Sequence, residues 1–482
     1  MKNLLTGRHQ EQQILQEAFH SNEAEMVAVF GRRRVGKTFL VRSVFDKQID
    51  LEFTGVQNAT TQEQLKTFFF LIKKYANPSL SLIPPKTWLD AFFQLITVLE
   101  EATKLSDKRR IIFFDELPWL ATHRSGFLKA FGFFWNNWAS KNNILLIICG
   151  SAASWMIQKI VKDRGGLHNR ITKRIYLKPF TLAETETYLH SRNIKLNRYQ
   201  TILLYMIMGG IPHYLKEVKP GNSAVQNIED ICFSDNGLLT DEFDNLYLAL
   251  FKNAENHILV IRALATKWKG LTRSEIIKIT KLSNGGGLTK ILNELSHSGF
   301  ISAYYPYGKR KKEMLYRLTD EYSLFYLNFI EKRKKNITGN WKTLSQTSAF
   351  TSWSGYAFES ICLKHILQIK EALRIGGIYA KPSSFIFKGD ENYDGIQIDL
   401  LIDRNDQIIN LCEIKFSQKV FTITKSYAEQ LRNKKGTFQE VSKTKKLIFL
   451  TMITTFGIKE NEHQYEVDNS LTLDVLFKEI DN

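Results

Sequence analysis

One octapeptide constrains this chain more than any other stretch: Gly31-Arg32-Arg33-Arg34-Val35-Gly36-Lys37-Thr38. It fits the pattern G-x-x-x-x-G-K-[ST]. The apolar run Glu25–Phe30 precedes it, and the helix-forming stretch Phe39–Phe45 follows. Two glycines let such a loop wrap closely around phosphate oxygens with its backbone N–H groups turned inward. Arg32, Arg33, Arg34 and Val35 supply the intervening peptide groups. Lys37 is placed to reach β- and γ-phosphates, and Thr38 to offer its hydroxyl to Mg²⁺. The positive end of the following helix adds to the anion site.

The surrounding block alternates strands and helices. Ile111–Phe114, Ile144–Ile148 and Arg174–Leu177 read as further strands. Strands apolar on both faces, separated by helical stretches, predict a parallel sheet covered on both sides. Residues 1–180 are therefore read as a doubly wound α/β P-loop NTPase domain. The second strand ends in Asp115-Glu116. A buried strand that delivers carboxylates at its C-terminal edge places them beside the phosphate loop. Asp115 is the candidate Mg²⁺ ligand, and Glu116 the residue that orients and activates water. The third strand runs into Cys149-Gly150-Ser151. Ser151 reads either as a γ-phosphate contact or as the N-cap of the helix that follows. Of the cations Arg164, Arg170 and Arg174, Arg170 is the preferred candidate for stabilising transition-state charge, in cis or across a subunit interface. The alternative is a solvated basic tail.

Six elements in order carry a resemblance. They are Gly7-Arg8, the phosphate loop, Phe114-Asp115-Glu116, Cys149-Gly150-Ser151, His168-Asn169-Arg170 ahead of Leu177–Phe180, and Gly209-Gly210-Ile211-Pro212-His213-Tyr214-Leu215. Together they resemble the archaeal-type ATPase family of the AAA+ and signalling-ATPase group, over most of residues 1–330. The resemblance implies ATP with Mg²⁺ as cofactors, Arg8 on the adenine or ribose side, and Pro212 of a helical lid against the base. The chain departs from the family pattern at His9, at Asn169 and at Ser151.

Residues 181–250 read as a mostly helical lid broken at Gly209–Pro212. Residues 251–330 read as helix, turn, helix and a hairpin. Thr272 caps the second helix, with Glu275 completing a capping box, and the third helix is read over Leu288–Ser298. The hairpin tip carries Lys309-Arg310-Lys311-Lys312. This pattern resembles a winged helix-turn-helix. Its cations suit DNA phosphates, and Lys290 could approach a groove. An internal packing role is the alternative. The stretch 331–349 is the linker candidate.

Residues 350–482 hold a second constellation. Asp399 sits within the alternating run Ile396–Ile402, and Glu413 and Lys415 within Leu411–Phe416. Residues i and i+2 of a strand face one side, so Glu413 and Lys415 point together, and a hairpin brings Asp399 alongside. This resembles the core of the PD-(D/E)XK nuclease fold. The resemblance implies a restriction-endonuclease-like α/β domain with Asp399 and Glu413 as metal ligands. It also implies Glu359, on a helix read as opening at Gly355, as a further acid, and Lys415 as the group that orients the nucleophile. The segment Tyr427-Ala428-Glu429-Gln430-Leu431 resembles the Gln-bearing helix that follows such strands. An ordinary ion-paired strand pair and an inactive nuclease-like domain remain the alternatives.

Composition narrows the setting. The chain has 482 residues and a net charge of +17, which points to a polyanionic partner, read as DNA, with a homo-oligomer as an option. No run approaches the ~20 apolar residues of a membrane span. Cys149, Cys232, Cys362 and Cys412 form no metal or disulfide spacing, which points to the cytoplasm. The function read from the residues is Mg²⁺-dependent ATP hydrolysis by a protein acting on DNA, with metal-dependent phosphodiester cleavage as a second activity. The rivals are an ATP-driven signalling switch with an inactive nuclease-like domain and a non-cleaving DNA-binding regulator.

Overall fold

The computed structural model describes residues 5–106, 108–162, 165–309, 313–332 and 341–480. The chain divides into two compact units, Met1–Lys178 and Pro179–Asn482.

The first unit is built on five parallel strands: β1 (Glu25–Phe30), β2 (Ile49–Thr54), β3 (Arg110–Asp115), β4 (Ile144–Gly150) and β5 (Lys173–Tyr176). Their order across the sheet is β2-β3-β4-β1-β5. Every residue of β3 and β4 is buried, as strands covered on both faces require. The C-terminal ends of β1, β3 and β4 lie side by side, with Phe30 opposite Gly150 and Phe114 opposite Ile148. The phosphate loop, Asp115-Glu116 and Ser151 therefore meet at one edge of the sheet. An aromatic core of Phe53, Phe68, Trp88, Phe92, Phe114, Phe127 and Phe131 fills one face. Burying each such ring contributes roughly 1.5–3 kcal/mol. The edge strand β2 escapes the sequence reading because Ile-Asp-Leu-Glu-Phe-Thr interleaves two acids. Asp50 is nonetheless buried against Arg110 at 3.2 Å, and Glu52 pairs with Arg42.

The second unit opens with helices Leu182–Ser191, Arg198–Met208, Ala224–Cys232, Glu242–Leu250 and Ala254–Ala265. Helices Arg273–Thr280 and Gly286–His297 follow, with a small antiparallel sheet ordered β6 (Leu271–Thr272), β8 (Leu315–Leu318), β7 (Ile301–Tyr304). The Thr272–Glu275 capping box is present. The helix read from Leu288 starts at Gly286, two residues earlier. Arg310, Lys311 and Lys312 lie outside the described residues, as does Arg164 of the first unit.

The stretch read as a linker is ordered where it is described. Trp341 opens a short helix and is buried among Phe325, Phe329 and Phe350, stacked on Phe233 at 5.4 Å. Residues 333–340 lie outside the described residues. Helix Ser348–Lys364 is capped by Thr347, so it begins before Gly355, and Glu359 sits well inside it. A five-stranded sheet ends the chain, in the order β13 (Asn469–Thr472), β12 (Leu447–Thr454), β11 (Ile408–Lys415), β10 (Ile396–Arg404), β9 (Ala380–Phe387). Helix Lys425–Ser442 packs its Ala428, Leu431 and Phe438 on this sheet.

Candidate functional site

At the first site the loop geometry depends on its glycines. A Cβ on Gly31 would stand 2.2 Å from the Leu177 carbonyl oxygen, so no larger residue fits there. Gly36 sits at φ +91° and caps helix Lys37–Phe45 from the left-handed region that glycine tolerates. Lys37 is buried and its Nζ donates to the Arg32 carbonyl at 2.8 Å. Thr38 Oγ1 donates to Asp115 Oδ2 at 2.8 Å, which joins the end of the loop to the end of β3. The other oxygen of Asp115 accepts from the Glu116 N–H at 3.0 Å. A hydroxyl and a buried carboxylate held together are hard oxygen donors of the kind Mg²⁺ takes. The first residue past β3, Glu116, turns at φ 46° and directs its carboxylate to Ser151. Oε2 accepts from the Ser151 N–H at 3.0 Å and from its Oγ at 2.8 Å. Ser151 therefore serves Glu116. The N-cap of the next helix is Ala152, without a side-chain cap.

Arg8 is buried and donates from Nη2 to the Lys178 carbonyl at 2.6 Å. Arg32 and Val35 are buried, and Arg33 and Arg34 half-buried. Arg170 is exposed on the turn before β5, where its backbone N–H donates to the Leu167 carbonyl. Pro212 lies in the second unit, in the first turn of Pro212–Leu215.

At the second site Asp399, Glu413, Lys415 and Glu359 do gather. The antiparallel ladder that sets Leu400 opposite Cys412 carries Asp399 next to Glu413. The β9–β10 register shifts between Ile398 and Leu401, a bulge that re-aims the residues it contains. Gln397 Nε2 donates to Asp399 Oδ1 at 2.9 Å. Lys415 reaches Glu413 at 2.9 Å, as i and i+2 on one strand face allow.

The charges are unevenly matched. Burial, then repulsion from Asp399, pushes the Glu359 carboxyl up to about 8, with Arg317 and Lys415 opposing. Burial and then Glu413 push Asp399 up to about 6. Burial works against Glu413 as well, but Lys434 and Lys415 outweigh it and hold this carboxyl below its ordinary range. Half-buried carboxylates short of counter-charge suit a cation. Among the described residues, however, no three His, Cys, Asp or Glu side chains converge closely enough to hold a metal ion. The oxygens of Glu413 are already engaged, Oε2 by Lys434 at 2.7 Å and Oε1 by Lys415 and by the Tyr427 hydroxyl at 3.1 Å. Glu359 and Asp399 make no ion pair among the described residues.

Lys434 was not among the residues singled out from sequence, Tyr427 entered only within the segment read for Gln430, and Gln430 itself is exposed. The available signal was spacing: residues i and i+7, with Leu431 between them, share one helix face.

Residues 5–218 match the profile of a family described as an ATPase domain predominantly from Archaea. An uncharacterized protein of Methanocaldococcus jannaschii, MJECL04, is 23% identical over 445 residues, spanning 90% of this chain and 92% of that protein. Among solved structures, the Walker-type ATPase PABY2304 of Pyrococcus abyssi is 19% identical with a TM-score of 0.48, covering 67% of this chain and 96% of its own. The Aeropyrum pernix ORC2 protein, solved in ADPNP–ADP complexes, is 12% identical with a TM-score of 0.42, covering 70% of this chain and 97% of its own. The phosphate loop, Asp115, Glu116, Ser151, Arg170 and Pro212 all fall within the stretch matched as an ATPase domain. The acidic cluster of Glu359, Asp399 and Glu413 falls outside it. No helix among the described residues is long and apolar enough to cross a membrane.

Proposed function

We propose that this chain couples ATP hydrolysis by its ATPase domain to action on DNA. The observation that carries the first half is the pairing of Thr38 with Asp115 beside the Glu116–Ser151 contact. It sets the loop that binds phosphates next to the carboxylate that handles water. Gly31 to Lys37 cradle the β- and γ-phosphates through backbone N–H groups and the Lys37 ammonium. Thr38 and Asp115 would hold Mg²⁺, which neutralises phosphate charge when bound. Glu116 orients the attacking water and takes up its proton. Ser151 fixes the Glu116 carboxylate. Arg170 precedes β5, at the end of the parallel sheet away from the phosphate loop, so it supplies positive charge to the transferring phosphoryl group of a second copy. Arg8 lies on the adenine or ribose side of the nucleotide.

The DNA half rests on the module of residues 251–330, which we read as a winged helix, and on the charge of +17. Lys290 and Lys309 project from its helix and hairpin. Both are solvent-facing, and their partners Glu294 at 3.9 Å and Glu313 at 3.3 Å are exchangeable surface pairs of little strength. We read residues 350–480 as a PD-(D/E)XK nuclease-like domain. Glu359 and Asp399 are its cation-binding pair, Glu413 a further acid, and Lys415 the group that orients the attacking water. The grouping of these residues around the β10–β11 ladder supports that reading.

The closed arrangement of both sites favours one rival, a slow switch. Lys37 and Glu116 are each engaged within the protein, and Glu413 is held by two lysines. Turnover separates the two. Steady-state ATP hydrolysis that rises several-fold with DNA supports the motor, whereas tight nucleotide retention with no DNA effect supports the switch. Nicking of plasmid DNA with Mg²⁺ or Mn²⁺, lost in Asp399→Ala and Lys415→Ala, tests the second activity. Binding without nicking in the unaltered protein leaves the non-cleaving regulator.

A further inference from the structure

A narrow cleft within the second unit has Glu359 and Asp399 on one side. On the other are Trp268, Lys269, Tyr304 and Arg317 of the helix-and-hairpin module. Arg317 lies in β8 opposite Ser302 of β7, so a ladder fixes its backbone. The hairpin is also joined to the C-terminal sheet. The Tyr307 N–H donates to the Ser384 carbonyl at 2.7 Å, and the Tyr307 ring lies 5.7 Å from that of Phe438. Arg317 thus reaches the acidic cluster from a firmly placed strand.

Its guanidinium is half-buried, yet among the described residues it makes no ion pair and no side-chain hydrogen bond. It lines the same cleft as Glu359 without closing onto that carboxylate. Such a guanidinium keeps its fork of donors available. That fork matches two oxygens of a phosphate better than an ammonium does. The opening is about 20 Å³, room for one or two water-sized groups. Phosphate oxygens meet that limit and a nucleobase does not. Trp268 and Tyr356, stacked at 4.9 Å and 10°, wall the opening.

We propose that Arg317 is a phosphate-binding residue of the C-terminal site, holding a backbone phosphodiester of a nucleic-acid strand beside Glu359 and Asp399 without reading its bases. The proposal deepens, and rests on, the reading of that site as one that acts on phosphodiesters. It makes the site composite, with carboxylates from the C-terminal domain and the anion grip from the module before it. Recognition through phosphate alone is indifferent to sequence.

Binding of labelled single-stranded oligonucleotides to the full chain tests it, with two unrelated sequences each as DNA and as RNA. The variants are Arg317→Gln, Arg317→Lys and Asp399→Asn, with the thermal midpoint of each as the folding control. Arg317→Gln should raise Kd about tenfold or more on both sequences and lower the log–log salt slope by about one. Arg317→Lys should recover part of the loss as a point charge, which a misfolded variant would not do. Unchanged binding in Arg317→Gln, a loss confined to one sequence, or no oligonucleotide binding by the unaltered protein would overturn the proposal. The two readings separate cleanly. If Asp399→Asn stops cleavage while Arg317→Gln binds and cuts normally, the phosphodiester site stands and Arg317 falls. If the unaltered protein never cuts but Arg317→Gln still weakens binding, phosphate capture stands and cleavage falls.

Discussion

His365 gives the second unit a pH dependence that can be worked out from its contacts. It is buried between two helices. Its Nδ1–H donates to the Ile361 carbonyl at 2.9 Å, and its Nε2 accepts from the Leu182 N–H at 3.2 Å. The Tyr205 ring meets it edge-on at 5.7 Å. Leu182 opens a helix whose first N–H groups have no intrahelical partner, so a neutral imidazole caps it. A proton on Nε2 would set N–H against N–H. Burial lowers the pKa to about 4, with Lys364 adding to the effect and the Ile361 carbonyl opposing it. The unfolded chain takes up this proton near pH 6.5 and the folded chain only near 4. Stability from this group is therefore whole above pH 6.5 and is lost as pH falls toward 4. The loss is about 2 kcal/mol at pH 5 and about 3 kcal/mol at pH 4. Glu359 and Asp399 act in the opposite sense, because carboxyls with raised pKa values favour the fold as pH falls. The assay must therefore be the difference between the unaltered protein and His365→Gln in urea unfolding at pH 7.5, 6, 5 and 4.5. His365→Gln should be less stable at pH 7.5, and the gap should shrink by about 2 kcal/mol by pH 5. A gap that stays constant with pH would refute the capping argument.

Three further outcomes follow from the sites. Gly31→Ala should destabilise the first unit by about 1–3 kcal/mol in thermal unfolding, since its Cβ meets the Leu177 carbonyl at 2.2 Å and backbone must move. Lys37→Ala should abolish ATP binding in calorimetry, and unchanged affinity would remove the phosphate-loop assignment. Glu359→Gln and Asp399→Asn should raise the thermal midpoint at pH 8 without metal, because each removes a poorly compensated, half-buried charge. Mg²⁺ or Mn²⁺ should then raise the midpoint of the unaltered protein more than that of either variant.

Much of this was legible in the sequence because certain chemistry tolerates few alternatives. A loop that wraps phosphate needs its glycines, lysine and threonine in order, and a strand feeding it must be apolar. The Thr272–Glu275 box was readable for the same reason, as a local pattern with one geometric outcome. The omissions share a cause as well. β2 carries Asp50 and Glu52, and an acid can sit at Asp50 because Arg110 at 3.2 Å, Lys108 at 2.8 Å and the Ile111 N–H at 3.0 Å all meet it. Trp341 stands in a polar stretch, and the ring it stacks on, Phe233, is remote in sequence. Tyr427 and Lys434 became visible only once β11 fixed which face of their helix meets Glu413. Arg317 and His365 depend on contacts between segments far apart in the chain, which neither periodicity nor spacing encodes.

That Glu116 activates the attacking water is the reading on which the proposed ATP hydrolysis depends most. Single-turnover hydrolysis of ATP with Mg²⁺ by Glu116→Gln, with the bound nucleotide identified at each time point, tests it most directly. If Glu116 activates the water, ATP affinity stays unaltered, intact ATP is retained, and hydrolysis slows by about 10²–10⁴-fold. Release of ADP at the rate of the unaltered protein would contradict it.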